Sequence, residues 1–262
     1  MARAVFRSWF VDFDPVQVKV AAREEGHNPE RAAMAVLSGE NFSGLDSASL
    51  SSLSALFPDE LEETAMGAVP KGWAVRPLDS LATYLNGLAM QKYPPNESGT
   101  LPVIKVAQLK KGDTDGADQA AADLPSNYVV ENGDILFSWS GSLAVDVWCG
   151  GRGALNQHLF KVNSTEFPNW LIYHWTKEHL AHFQAIAAAK AVTMGHIQRH
   201  HLREALCPMP TNPVLIKRMS AVMAPLFDLQ IAVRLESRKL AELRDTLLPR
   251  LLSGDLSLDG NL

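Results

Sequence analysis

The sequence has 262 residues, 47% of them apolar and 20% charged, with a mean hydropathy of −0.04, which suffices for a buried core of one or two domains and excludes a disordered tail. No apolar run approaches the roughly 20 residues of a membrane span, and Cys149 and Cys207 alone exclude a disulfide scaffold or a cysteine zinc site. Of the net charge of −5, residues 1–70 carry 5 Lys/Arg against 11 Asp/Glu and the remainder 19 against 18, so contacts with phosphates are expected after residue 70.

From Ala2 to Phe13, the residues Val5, Phe6, Trp9, Phe10 and Phe13 recur at helical spacing until Asp14-Pro15 ends the pattern. So many large apolar side chains on one short helix must dock, either on this chain's own body or on a partner. The opening residues carry no secretory apolar stretch, and a cytoplasmic location is expected. Residues 19–70 have the composition of a connector, with Glu24-Glu25-Gly26, Asn28-Pro29, a Ser/Gly-rich run from Ser43 to Ser52, and one short helix expected around Glu30 to Leu37.

Residues 71–212 alternate short strands with helical patterns, the mark of an α+β domain with one globular body. Strands are expected at Val103 to Val106, Gly133 to Trp139, Leu143 to Trp148 and Leu159 to Val162, with turns at Gly150, Gly151 and Gly153. A helix then places Ile172, Trp175, His179, Phe183 and Ile186 on one buried stripe. In residues 213–262, Met219, Leu226, Val233, Leu240 and Leu247 recur every seven residues, interleaved with Leu215, Val222, Leu229 and Leu243. This predicts a long coiled-coil helix, divided at Pro225, whose apolar seam needs another helix.

Nucleotide-loop, zinc-protease and hydrolase-elbow motifs are missing from the sequence. His174 and His179 fall about 140° apart around a helix and cannot share an ion, while His196 and His200 have the i, i+4 spacing but no evident third ligand. No metal or cofactor is assigned to this chain. Three polar segments stand apart from scaffold chemistry: Ser138-Trp139-Ser140-Gly141-Ser142, Asn156-Gln157-His158, and Thr193-Met194-Gly195-His196 with Arg199. Asn, Gln and Ser are the side chains that pair with base edges, and Lys105, Lys110 and Lys111 are positioned to serve phosphates, as are Lys161 and Arg203. Turn and capping chemistry, and solvated lysines, are the plainer explanation for each taken alone.

Taken together, these stretches resemble the DNA-specificity subunit of Type I restriction-modification systems. Ala4 to Val16 resembles the end of that family's central spacer helix. Gly133 to Ser142, Gly153 to Phe160 and Thr193 to Ile197 resemble the body of a target-recognition domain, and Leu240 to Gly254 the distal end of the second spacer helix. The resemblance implies the end of a spacer helix over 1–18, a linker over 19–70, a target-recognition domain over 71–212 and a spacer or dimerisation helix with a tail over 213–262. It further implies a non-catalytic subunit that reads one half of a bipartite site in double-stranded DNA. S-adenosylmethionine would then reside in a partner methyltransferase subunit, and a motor-nuclease restriction subunit would join through the complex. A full specificity subunit has two target-recognition domains and this sequence has one, which implies a homodimer or pairing with another half-subunit. On that reading Val5, Phe6, Trp9 and Phe10, together with Met219, Leu226, Leu229, Val233, Leu240, Leu243 and Leu247, face a partner. A coiled-coil adaptor without DNA binding, and an inactive fragment of a split subunit, are the alternatives.

Overall fold

The computed structural model describes residues 1–38, 46–189 and 195–253. Its N-terminal part is helical. α1 (Ala2–Phe10) and α2 (Asp14–Glu24) are joined through Phe13, which sits in the left-handed region at φ 53°, and Pro15 occupies the first turn of α2. Asp14-Pro15 therefore starts a new helix as well as ending the old one, because a proline costs nothing where the N–H has no intrahelical partner. α3 (Pro29–Leu37) is capped by the Asn28 side chain, α4 (Ser47–Ser54) by Asp46, and a hairpin of β1 (Leu61–Thr64) and β2 (Gly67–Pro70) follows.

Residues 19–70 were expected to wrap the surface as a linker, and the structure corrects this over its described part. The serines of 47–54 form a helix because Asp46 takes the Ser49 N–H at 2.7 Å and Leu50 and Leu53 find a buried face. Lys19 is also buried, its ammonium donating to the Phe57 carbonyl at 2.8 Å with Glu30 at 3.7 Å, which ties α2 to the segments around it. Desolvation lowers the Lys19 pKa against the pull of Glu30 and Asp59.

Residues 71–212 begin with β3 (Trp73–Pro77), α5 (Leu78–Leu81) and β4 (Thr83–Asn86). It continues with β5 (Thr100–Ile104), α6 (Val106–Lys111), β6 (Gln119–Ala121), β7 (Val129–Val130), β8 (Ile135–Ser138) and β9 (Val145–Val147). β10 (Gly153–Leu155) and β11 (Leu159–Asn163) complete two four-stranded sheets, ordered β6-β5-β10-β7 and β4-β11-β8-β9. Only β5 and β10 pair in parallel among these neighbours, with Ala154 opposite Val103. The strands expected at Gly133 to Trp139 and Leu143 to Trp148 are present but shorter, that at Leu159 runs one residue further, and that at Val103 starts earlier, at Thr100, with Val106 opening a helix instead of ending the strand.

α7 (Asn169–Glu178) and α8 (Leu180–Ala189) carry the expected stripe, with Ile172, Trp175 and Phe183 buried and His179 and Ile186 half-buried; one residue, His179, separates the two helices. α9 (Arg199–Glu204) and β12 (Leu206–Pro210) lead into α10 (Pro213–Leu252), β12 pairing back with β3. α10 is one helix of 40 residues, roughly 60 Å long, and the division expected at Pro225 does not occur. Pro225 and Ala221, whose carbonyl loses its helical partner, both lie on the exposed side of the helix, open to solvent.

The apolar face of α1 docks on this chain. Phe6 stacks on His174 at 5.1 Å and meets Trp175 edge-on, and Phe10 packs against Trp73 and Trp170. Val5, Phe6, Trp9 and Phe10, all at most 1% exposed, are therefore core residues, and the expectation that they face a partner is corrected. The same holds for Met219, fully buried, and for Leu226, which packs partly against the core. Leu229, Val233, Leu240, Leu243 and Leu247 are instead 42–59% exposed, so the unpartnered seam lies on the distal part of α10. Cys149 and Cys207 are buried free thiols, burial pushing both pKa values up. Among the described residues no helix is long and apolar enough to cross a membrane.

Burial, with Lys177 and Arg3 nearby, holds His174 down to about 4, and burial does the same to His179. The Nε2 of His174 has no hydrogen-bond partner. The folded state resists protonation while the unfolded chain accepts it near 6.5, so stability is complete above that pH and is lost as pH falls towards 4. Thermal melts should show this decline, and His174→Phe, which keeps the stack on Phe6, should flatten part of it. An unchanged pH profile in the variant would place the acid sensitivity elsewhere.

Candidate nucleic-acid interface

Three loops converge at the open end of the β4-β11-β8-β9 sheet. The turn after β8 is tied to the segment before α9 by main-chain bonds, Gly141 N–H to the Gly195 carbonyl at 2.8 Å and Ile197 N–H to the Trp139 carbonyl at 2.9 Å. Across from it, the loop between β10 and β11 sends His158 to Ser140, Nδ1 and Oγ lying 2.8 Å apart. The Trp139 ring fills the centre, packed on Phe160 and His158 and edge-on to His196, while its Nε1 donates to Asn86 Oδ1 at 2.8 Å.

Gly87, which follows β4, makes this junction possible. A Cβ at that position would stand 2.3 Å from the Asn156 carbonyl oxygen and 2.4 Å from that of Leu155. Gly87 and Leu88 N–H groups bond to the Leu159 and Leu155 carbonyls at 3.0 Å, and Gln157 N–H returns to Leu88 at 2.9 Å. Sequence reasoning missed Gly87, Asn86 and Gln91, the last of which lines the cleft described next. A glycine directly after a strand was the available signal for close backbone approach.

Between these loops and the N-terminal end of α6 lies a cleft of ≈ 550 Å³. It gathers seven of the residues singled out from the sequence: Lys105, Lys110, Ser140, Ser142, Asn156, Gln157 and His158. Their availability differs. Ser142 and Lys110 are exposed and Gln157 and His158 half-exposed, whereas Ser140 and Asn156 are at least 95% buried, Asn156 Oδ1 accepting the His158 N–H. Lys105 is ion-paired with Asp118, while among the described residues no ion pair involves Lys110. The first lysine therefore offers a phosphate only what Asp118 gives up, and the second offers a full charge.

The remaining expectations separate from this cleft. Ser138 is fully buried: its Oγ donates to the Ser142 carbonyl at 2.9 Å and accepts the Ala144 N–H at 2.8 Å, so it builds the turn and touches nothing outside. Trp139 is a half-buried packing residue, not an aromatic held out between hydroxyls. Lys111 pairs with Asp113 and Asp115, Lys161 with Asp134, and Arg203 with Asp79. Arg199 lies over Phe160 and borders a different cleft, of ≈ 430 Å³, with Asp79, His200 and Arg203. Thr193 and Met194 lie outside the described residues.

His200, His201 and Glu204 approach one another closely enough to suggest a metal. His201 argues against it. Its Nδ1 accepts the Gln198 N–H at 2.8 Å as part of the cap of α9, which leaves the proton of the neutral ring on Nε2, so neither nitrogen is a free donor to an ion.

The cleft and its loops lie within residues 70–231, which match the family model described as "Type I restriction modification DNA specificity domain". The chain belongs to that family. This specificity-domain chain is similar over 98% of its length to the Type I restriction enzyme HindI specificity subunit of Haemophilus influenzae, at 24% identity. Its similarity to the MjaIX specificity subunit of Methanocaldococcus jannaschii covers 99% of its length at 23% identity. It spans 61% and 53% of the lengths of those relatives. Solved structures similar to this specificity-domain chain include the HsdS subunit from Thermoanaerobacter tengcongensis, with TM-score 0.41 and 18% identity over 91% of this chain and 57% of that one. Another is the S subunit from M. genitalium, with TM-score 0.45 and 15% identity over 95% and 58%.

Replacing Gly87 by alanine should displace the Asn156 loop and destabilise the specificity domain by about 2 kcal/mol or more, since overpacking against main chain cannot be relieved by a rotamer change. Denaturant titration checks the energy, and a shift of the His158 ring resonances checks the displacement; a neutral substitution would mean the two segments are less tightly apposed.

Proposed function

We propose that this chain is a sequence-recognition subunit of a Type I restriction-modification complex, binding one half of a bipartite site in double-stranded DNA. The observation that carries the reading is the specificity-domain match over residues 70–231, which contains a cleft where polar side chains meet the exposed Lys110. Gln157, His158 and Ser142 are assigned to base edges and Lys110 to a phosphate, with Lys105 as a weaker second cation. Ser140 and Asn156 hold these groups in place. The chain performs no catalysis of its own: S-adenosylmethionine belongs to a methyltransferase subunit that docks on it, and the restriction subunit joins through that complex, all in the cytoplasm.

The exposed seam of α10, from Leu229 to Leu247, supports pairing with a helix of a second copy or of another half-subunit. Two recognition domains then stand at a separation set by the paired helices, which is how a split site is read by symmetric halves. An adaptor without DNA binding is not favoured, because the matched family domain is a DNA-specificity domain.

Co-expression with the methyltransferase subunit of its own locus in a methylation-free host, followed by mapping of adenine methylation, tests the reading. A palindromic split motif is expected for a homodimer and a non-palindromic one for two different halves; no methylation from a soluble, co-purifying pair would overturn it. In duplex-binding titrations Lys110→Ala should lower the salt dependence by about one phosphate contact, roughly 0.9 in log–log slope, while leaving the preferred sequence unchanged. Gln157→Ala should do the reverse, relaxing the sequence preference at an unaltered slope.

A further inference from the structure

α10 is held to the domain in two stages. Leu215, Met219, Met223 and Phe227 are buried at intervals of four residues, so the first part of the helix is fixed by apolar packing. Ile231 adds a last, partial apolar contact, and beyond it the contact becomes polar. Arg234 Nη1 donates to Asp146 Oδ1 at 2.9 Å and to the Val147 carbonyl at 3.2 Å. One turn later Arg238 Nη1 donates to the Cys149 carbonyl at 3.2 Å, while its Nε is held by Glu242 at 3.0 Å. From Lys239 to Ser253 every residue except Ala241 is exposed, so Arg238 marks the point where the helix parts from the domain.

The receiving turn is shaped for this contact. Gly151, at φ 89°, lies under the Arg238 guanidinium, and a Cβ there would come within 3.3 Å of Nη1. The turn is braced from behind: Trp148 Nε1 donates to the Gly151 carbonyl at 2.5 Å, and Asn132 Oδ1 accepts the Gly151 N–H at 2.8 Å. A single half-exposed ion pair stabilises little. Two planar guanidinium forks spaced i, i+4, one bonded to the carbonyl that ends β9 and the other to a carbonyl of the braced turn after it, restrict rotation of the helix as well as its distance from the sheet. A rod magnifies angular error. The stretch from Arg238 to Leu252 is about 20 Å long, so a tilt of about 10° moves its end by about 4 Å, the scale of one base-pair step at roughly 3.4 Å.

We propose that Arg234 and Arg238 form a latch that fixes the angle at which α10 leaves the recognition domain, and that this angle determines which half-site separation the assembled protein accepts. The second clause rests on the DNA-recognition function proposed above; the first does not.

The test uses the full chain with spin labels on keto amino acids introduced at exposed Glu97 and Arg250, leaving both native cysteines untouched. The parent chain should give one narrow distance distribution. R234A/R238A should widen it at least about twofold while the near-UV signature of the six tryptophans persists. Asp146→Asn, which removes only the charge facing Arg234, should widen it less and serves in place of the double variant should that misfold. In the methylation map, the double variant should modify sites whose spacer is one base pair longer or shorter about tenfold more often than the parent. Unchanged distances in both variants would overturn the latch. Widened distances with unaltered spacer preference would support the latch and overturn its role in spacing. Absent methylation by the parent chain would overturn the DNA reading and the spacing role together, with the distance measurement still deciding the latch.

Discussion

The molecule is organised around a helix that has no face left for water. Every residue from Trp170 to Thr176 in α7 is buried, which an amphipathic helix does not achieve without neighbours on all sides. Phe6 and Phe10 of α1 cover one side, stacked on His174 and packed against Trp170 and Trp175. The sheet covers another, where the Tyr84 hydroxyl meets Thr176 Oγ1 at 2.9 Å inside the core. The root of α10 closes a third, through Tyr173 against Phe227 and Trp170 Nε1 donating to Ser220 Oγ at 3.1 Å. The N-terminal helices, the β4-β11-β8-β9 sheet and the long helix are thus held to one core, and a loop displaced at the cleft or a tilt of α10 is resisted by the same packed aromatic layer.

What the sequence made legible follows from periodicity. The stripe of α7 and α8, the strands flanking the cleft and the heptads of α10 all repeat on scales of two, three or four residues, and all exist. The three polar loops were also recognisable, because runs such as Asn156-Gln157-His158 have no role in a packed core unless they cap, turn or bind. Their convergence was not. Ser140 meets His158 only because Gly87 lets two backbones approach and because the 195–197 segment pairs with the turn after β8, and both facts depend on chain pairings that no local pattern encodes.

The misjudged elements share a cause: each is decided by what lies opposite. Serine-rich residues 47–54 have poor helix propensity, yet Asp46 caps them and the core accepts Leu50 and Leu53. Pro225 breaks a helix only where the freed carbonyl would be buried, and here it faces solvent. Val5, Phe6, Trp9 and Phe10 announced a docking face correctly, but whether the dock was this chain or another required knowing that Trp73, Trp170 and Trp175 gather at one place. Ser138 and Ser142 look equivalent in sequence; the first ends β8 with its hydroxyl folded back onto the Ser142 carbonyl and the Ala144 N–H, while the second lies in the turn those bonds close, with its side chain open to solvent.

Charge distribution bears on how such a chain would discriminate. With a net charge of −5, it has no general attraction to a polyanion, and most of the described cations of residues 71–212 are already engaged: Lys71 with Glu60, Arg76 with Glu166, Lys105 with Asp118, Lys111 with Asp113 and Asp115, Arg152 with Glu131, Lys161 with Asp134, Arg203 with Asp79. On the proposed reading, each phosphate contact made by one of them must first displace a carboxylate, which would keep the sequence-independent part of binding weak. Weak background binding raises the ratio of specific to non-specific affinity, the quantity that decides occupancy when competing sites are abundant. It would also leave a lone half-site contact weak. Two recognition domains joined through the exposed seam of α10 would add their contacts with an effective concentration fixed by a stiff connection, and the gain is greatest when that connection spans the correct separation. An acidic protein that reads DNA through one modest cleft per chain is therefore physically coherent only if the rod between two such clefts is rigid.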